Sequence, residues 1–93
     1  MIFLGDIGTE INIDVGEDIS AQTELAVLYE KPDGTTGQWT GTISGTEIVQ
    51  YTTVEDDIDQ AGTWRLQAYI KLSGGWSGYS TIAYMTVESP ISV

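Results

Sequence analysis

Fourteen carboxylates and three cations are the only charged side chains of this 93-residue chain, and it has neither histidine nor cysteine. Without histidine there is no Ser-His-Asp or Cys-His relay, and the commonest metal ligand is missing. Paired carboxylates alone suffice for glycoside hydrolysis, but that reaction needs a cleft deep enough to hold a sugar, which a small β domain rarely offers. Lys31, Arg65 and Lys71 are the only side chains available to stabilise an anionic transition state. Arg65 and Lys71 fall on the solvent side of one expected strand, and Lys31 adjoins a turn. None of the three is placed as a site residue, so the chain is expected not to be an enzyme.

Two further motifs invite chemistry and lack what it requires. The run Glu55-Asp56-Asp57-Ile58-Asp59 has the oxygen donors that Ca²⁺ prefers, but not the central glycine and terminal glutamate of a calcium loop. It is expected to be a solvated loop that binds no metal, with Ile58 anchoring it to the core. The glycine-rich stretch Ser73-Gly74-Gly75-Trp76-Ser77-Gly78 has no basic residue and no following helix, so it is no phosphate cradle. No cofactor is expected.

The net charge of −11 repels phosphate backbones and anionic lipid, so neither nucleic acid nor membrane is an expected partner. The acidic residues are spread along the chain, which argues against a DNA mimic. Met1-Ile2-Phe3-Leu4-Gly5-Asp6 has no basic segment and no long apolar run, so no signal peptide is expected there. The absence of cysteine fits a reducing compartment.

These residues must be positioned by strands. Period-two alternation recurs between clusters of Gly, Pro and Asp, and helical periodicity is nearly absent. Strands are expected over residues 2–4, 9–15, 22–31, 36–43, 47–54, 63–72 and 79–88. In the second of these Ile11, Ile13 and Val15 alternate with Glu10, Asn12 and Asp14. Residues 22–31 carry Leu25, Val27 and Tyr29 on one face and Ala26 and Leu28 on the other, the pattern of a central strand. The expected core is Leu25, Val27, Trp39, Trp64, Leu66, Ile70 and Val87. About seven strands at this spacing predict an all-β, immunoglobulin-like β-sandwich forming one domain over residues 1–88, with a short tail at 89–93. Trp39 on the third main strand and the corner Asp59-Gln60-Ala61-Gly62-Thr63-Trp64 favour that fold. Trp64 stands where a tyrosine hydroxyl closes the corner in such sandwiches, so that hydrogen bond is missing or replaced.

The segments Gly5-Asp6-Ile7-Gly8-Thr9, Asp14-Val15-Gly16-Glu17-Asp18-Ile19-Ser20, Lys31-Pro32-Asp33-Gly34-Thr35 with Trp39, and Tyr51-Thr52-Thr53 through Gly62-Thr63-Trp64 occur in this order. In that order the sequence resembles small tailed-phage and prophage proteins related to the N-terminal domain of phage baseplate upper proteins. The likeness extends to Met85-Thr86-Val87. The resemblance implies a virion component, assembled in the host cytoplasm, that docks onto other virion proteins of the tail or baseplate in several copies. Larger relatives continue into coiled-coil or receptor-binding parts. With Val93 as its last residue, this chain is expected to act as an adaptor. A capsid decoration protein is the alternative within that class, and a carbohydrate-binding module using Trp76 and Tyr79 is the alternative outside it.

The expected partner-binding residues are Trp76, Tyr79, Tyr69, Ile82 and Tyr84. The last two strands should pair and present Tyr69, Ile82 and Tyr84 outward, an apolar patch of the kind that proteins tend to cover. Trp76 sits in a loop with no apolar neighbour of its own. It either folds back over the end of the sandwich or projects towards a partner.

Overall fold

The computed structural model describes residues 2–89. Most of the tail expected at 89–93 therefore lies outside the described residues. Alternation turns into strands where it was expected: β1 (Ile2–Phe3), β2 (Glu10–Asp14), β3 (Gln22–Glu30), β4 (Thr36–Thr40), β5 (Thr42–Ser44), β6 (Ile48–Thr52), β7 (Gly62–Leu72), β8 (Ser77–Tyr79) and β9 (Ala83–Glu88). The larger sheet has the order β1-β9-β7-β3-β4, with β8 also paired to β7, and the smaller has the order β2-β6-β5. No helix occurs among the described residues. The chain is an all-β sandwich.

One apolar layer joins the two sheets. Ile11, Ile13 and Val49 from the smaller sheet pack against Leu25, Val27, Trp39, Trp64, Leu66, Ile70 and Val87 from the larger. All seven residues expected in the core are buried. Burying a side chain of this size fully stabilises the fold by about 1.5–3 kcal/mol relative to leaving it exposed. At the centre Trp39 stacks on Tyr51 with ring centroids 4.8 Å apart and lies 6.2 Å from Trp64. The corner bond is replaced: the Trp64 indole N–H donates to the Gln60 carbonyl at 3.0 Å. A buried indole N–H needs such a partner.

Two expected strands are each divided. Residues 36–43 alternate in phase throughout, yet the chain leaves the larger sheet after Thr40 and joins the smaller at Thr42. Gly41 makes the crossing. A Cβ there would lie 2.8 Å from Val49 Cγ1, so no other residue fits without moving the core. Residues 79–88 begin instead as β8, which starts at Ser77, and resume as β9 after a one-residue bulge. Three steps along β7, from Tyr69 to Leu66, face four steps on the partner, from Tyr79 to Ala83. Ser80 fixes the bulge: its Oγ accepts from the Ala68 N–H at 2.9 Å, and its carbonyl accepts from Gln67 Nε2 at 2.8 Å.

The acidic run is built into the fold. Ile58 is 1% exposed and anchors the loop. Asp57 accepts from the Tyr51 hydroxyl at 2.5 Å and from the Val54 N–H at 2.8 Å. Burial, reinforced by that carboxylate, pushes the Tyr51 pKa up to about 12. Asp59 pairs with Lys31 at 2.8 Å, and the Lys31 ammonium also lies 5.7 Å from the Trp64 ring centroid. Its hydrogen bond to Asp59 holds the Lys31 pKa above the usual lysine value.

Candidate docking face

The outer face of the larger sheet follows from the register. Residues directly opposite one another on paired strands share a face, so Glu30, Arg65 and Tyr84 form one row, and Ala26, Tyr69 and Tyr79 another. Between these rows lie Leu28 and Gln67, with Ile82 beside them. Four of the five expected partner-binding residues, Tyr69, Tyr79, Ile82 and Tyr84, are thus brought together. The bulge makes this possible. Uninterrupted alternation would send Tyr79 and Tyr84, five residues apart, to opposite faces.

Three of these side chains are far more exposed than their chemistry favours: Tyr84 at 70%, Tyr79 at 63% and Ile82 at 40%. Tyr69 is half-buried and pairs with Tyr79, their ring centroids 5.4 Å apart and tilted by 52°. Beside them is a shallow depression of about 460 Å³, bordered by Leu28, Gln38, Arg65, Gln67 and Ile82. Glu30 holds Arg65 across its rim at 2.9 Å. That contact pushes the Arg65 pKa further up, so the guanidinium is a fixed cation.

The face is also the part of the surface where opposite charges come closest to balance. Glu24, Glu30 and Glu88 stand on it with Arg65 and Lys71, two of the three cations of the chain. Most of the remaining carboxylates lie on the smaller sheet and in loops. A near-neutral, tyrosine-rich surface on a strongly acidic domain is suited to dehydration against another protein. Tyrosine buries a large area and keeps its hydroxyl for a hydrogen bond at the rim.

Trp76, the fifth expected residue, is not part of this face. It folds back against Gly78, which lies opposite Ile70 on the inward side of β7. It nevertheless remains 52% exposed. The sequence signal for Leu28, Gln38 and Gln67 was weak: they are outward positions of strands whose pairing alone brings them beside Ile82.

Comparison of the chain with protein-family models, with curated proteins and with solved structures returned no match.

Proposed function

We propose that the chain is a non-catalytic structural component of a phage virion, a tail- or baseplate-associated adaptor that docks onto other virion proteins in several copies. The observation that carries this reading is the cluster of Tyr69, Tyr79, Ile82 and Tyr84 on one outward sheet face. Isolated exposed apolar side chains need no explanation, whereas contiguous ones mark surfaces that become covered. The strand order supports the immunoglobulin-like form of the sandwich. With β2, β3, β5, β6, β7 and β9 taken as strands B, C, D, E, F and G, sheet B-E-D faces sheet C-F-G. The absence of histidine and cysteine supports a non-catalytic role.

The test is incorporation into particles. Virions purified from the phage or prophage that encodes the chain should contain it, and Tyr84→Glu should deplete it from them without lowering its melting temperature. Particles that lack the wild-type chain, or that retain the Tyr84→Glu variant at the wild-type level, would overturn the reading.

A further inference from the structure

On the inward side of the hairpin joining β7 to β8, the connection from β2 to β3 closes a second depression of about 260 Å³. Its apolar lining is Val15, Ile19, Ile70, Leu72 and Tyr79, together with the half-exposed Trp76. The benzo ring of Trp76 occupies the place of a side chain at residue 78: a Cβ on Gly78 would lie 2.6 Å from Cζ2 and 2.7 Å from Cη2. Glycine therefore gives the indole a backbone support, and half of the indole remains open to solvent. The exposed Glu17 also lines it, with no hydrogen bond to another side chain among the described residues, and Thr81 borders the same space. Asp18 has one oxygen committed to the Ser20 N–H at 2.8 Å.

We propose that this cleft is a subsite for a neutral hexose ring. An open indole face attracts the partly positive C–H groups on one side of a pyranose, and a carboxylate with free lone pairs accepts from its hydroxyls. The lining contains no cation and includes two carboxylates, so phosphorylated, sulfated and uronic sugars are repelled. Its volume is below the roughly 300–1,000 Å³ of sites that enclose drug-sized ligands, which fits one sugar ring. Of the tyrosine face only Tyr79 borders this cleft, and Tyr69, Ile82 and Tyr84 do not line it, so the proposal does not depend on the docking role.

Trp39 and Trp64 are buried, so a change in tryptophan fluorescence on adding a ligand reports on Trp76. Cellohexaose, maltohexaose and fully N-acetylated chitohexaose should each be titrated to millimolar concentration, with glucuronic acid oligomers as the charged control. At least one neutral oligosaccharide should bind and shift the Trp76 indole N–H resonance. Trp76→Ala and Glu17→Gln should each weaken that binding, the former by about tenfold, and Gly78→Val should weaken it by displacing the indole. Tyr84→Glu, on the other face, should leave it unchanged. The proposal is overturned if no neutral oligosaccharide binds, if the charged oligomers bind equally well, or if Trp76→Ala binds like wild type. It is also overturned if Trp76 becomes protected only when the chain joins a particle, which would make the cleft a protein contact.

Discussion

The two outer faces of this sandwich are built from the same alternating pattern and differ in what the outward positions carry. On the smaller sheet Glu10, Asn12 and Asp14 face outward beside Gln50, and the polar groups satisfy one another: Gln50 Nε2 donates to Asn12 Oδ1 at 3.0 Å, and Asn12 Nδ2 to Glu10 Oε1 at 3.1 Å. On the larger sheet the corresponding positions hold Leu28, Tyr69, Tyr79 and Tyr84. Stability comes from the inner layer that both sheets share, so it does not account for the difference. A solvated face needs nothing further, whereas an exposed tyrosine cluster gains free energy when a partner removes it from water. The contrast separates a face whose polar groups satisfy one another from the face on which the proposed docking role rests.

The largest expected effect removes the layer on which both faces rest. Trp64→Ala deletes a fully buried indole and its bond to Gln60, and should cost about 3–5 kcal/mol. A drop of more than about 10 °C in melting temperature checks this, since 1 kcal/mol shifts a domain of this size by about 4–8 °C. An unchanged melt would mean that the strand phase, and with it the assignment of both faces, is wrong.

A smaller change loosens the smaller sheet alone. Asp57→Ala leaves the Tyr51 hydroxyl and the Val54 N–H without their acceptor and should cost about 1–3 kcal/mol. Titration probes the same contact. Tyr51 has a pKa of about 12 in the folded chain and about 10 when unfolded, so the unfolded chain releases the proton first as pH rises. The associated stability is complete below pH 10 and is lost between about pH 10 and 12. Urea midpoints should fall across that interval, and Tyr51→Phe should make the fall shallower. Equal slopes in the two proteins would contradict the contact.

The smallest effect is expected on the polar face itself. Asn12→Ala breaks two exposed hydrogen bonds and should change stability by no more than about 0.5 kcal/mol, with no loss of assembly. A chemical melt resolves the first expectation and particle composition the second.

The sequence made the strands and the core legible because alternation reports burial directly. Trp64, Leu66 and Ile70 had to point inward if any of the seventh strand did, and the Asp59–Trp64 corner left its hydrogen bond either missing or replaced, a choice the indole settles by donating to Gln60. Pairing was not legible. Trp39, Gly41 and Ile43 keep one phase across a change of sheet, because a strand that crosses from one sheet to the other still turns the same side chains inward. Gly41 was the only local trace of the crossing. The bulge after Ser80 was hidden in the same way, and it decides that Tyr79 joins Tyr84. The cleft beneath Trp76 was out of reach altogether, since Glu17 and Ile19 come from a distant connection that only the packed fold brings there.

The most direct test sets the two faces against each other with equal added charge. Tyr79→Glu with Tyr84→Glu alters the tyrosine face, and Asn12→Glu with Gln50→Glu alters the polar one, each adding two carboxylates to a folded domain. On the proposed virion role, chain content per particle should fall severalfold for the first pair and stay at the wild-type level for the second. Equal retention of both pairs, or equal loss of both, would contradict the assignment of the tyrosine face as the docking surface.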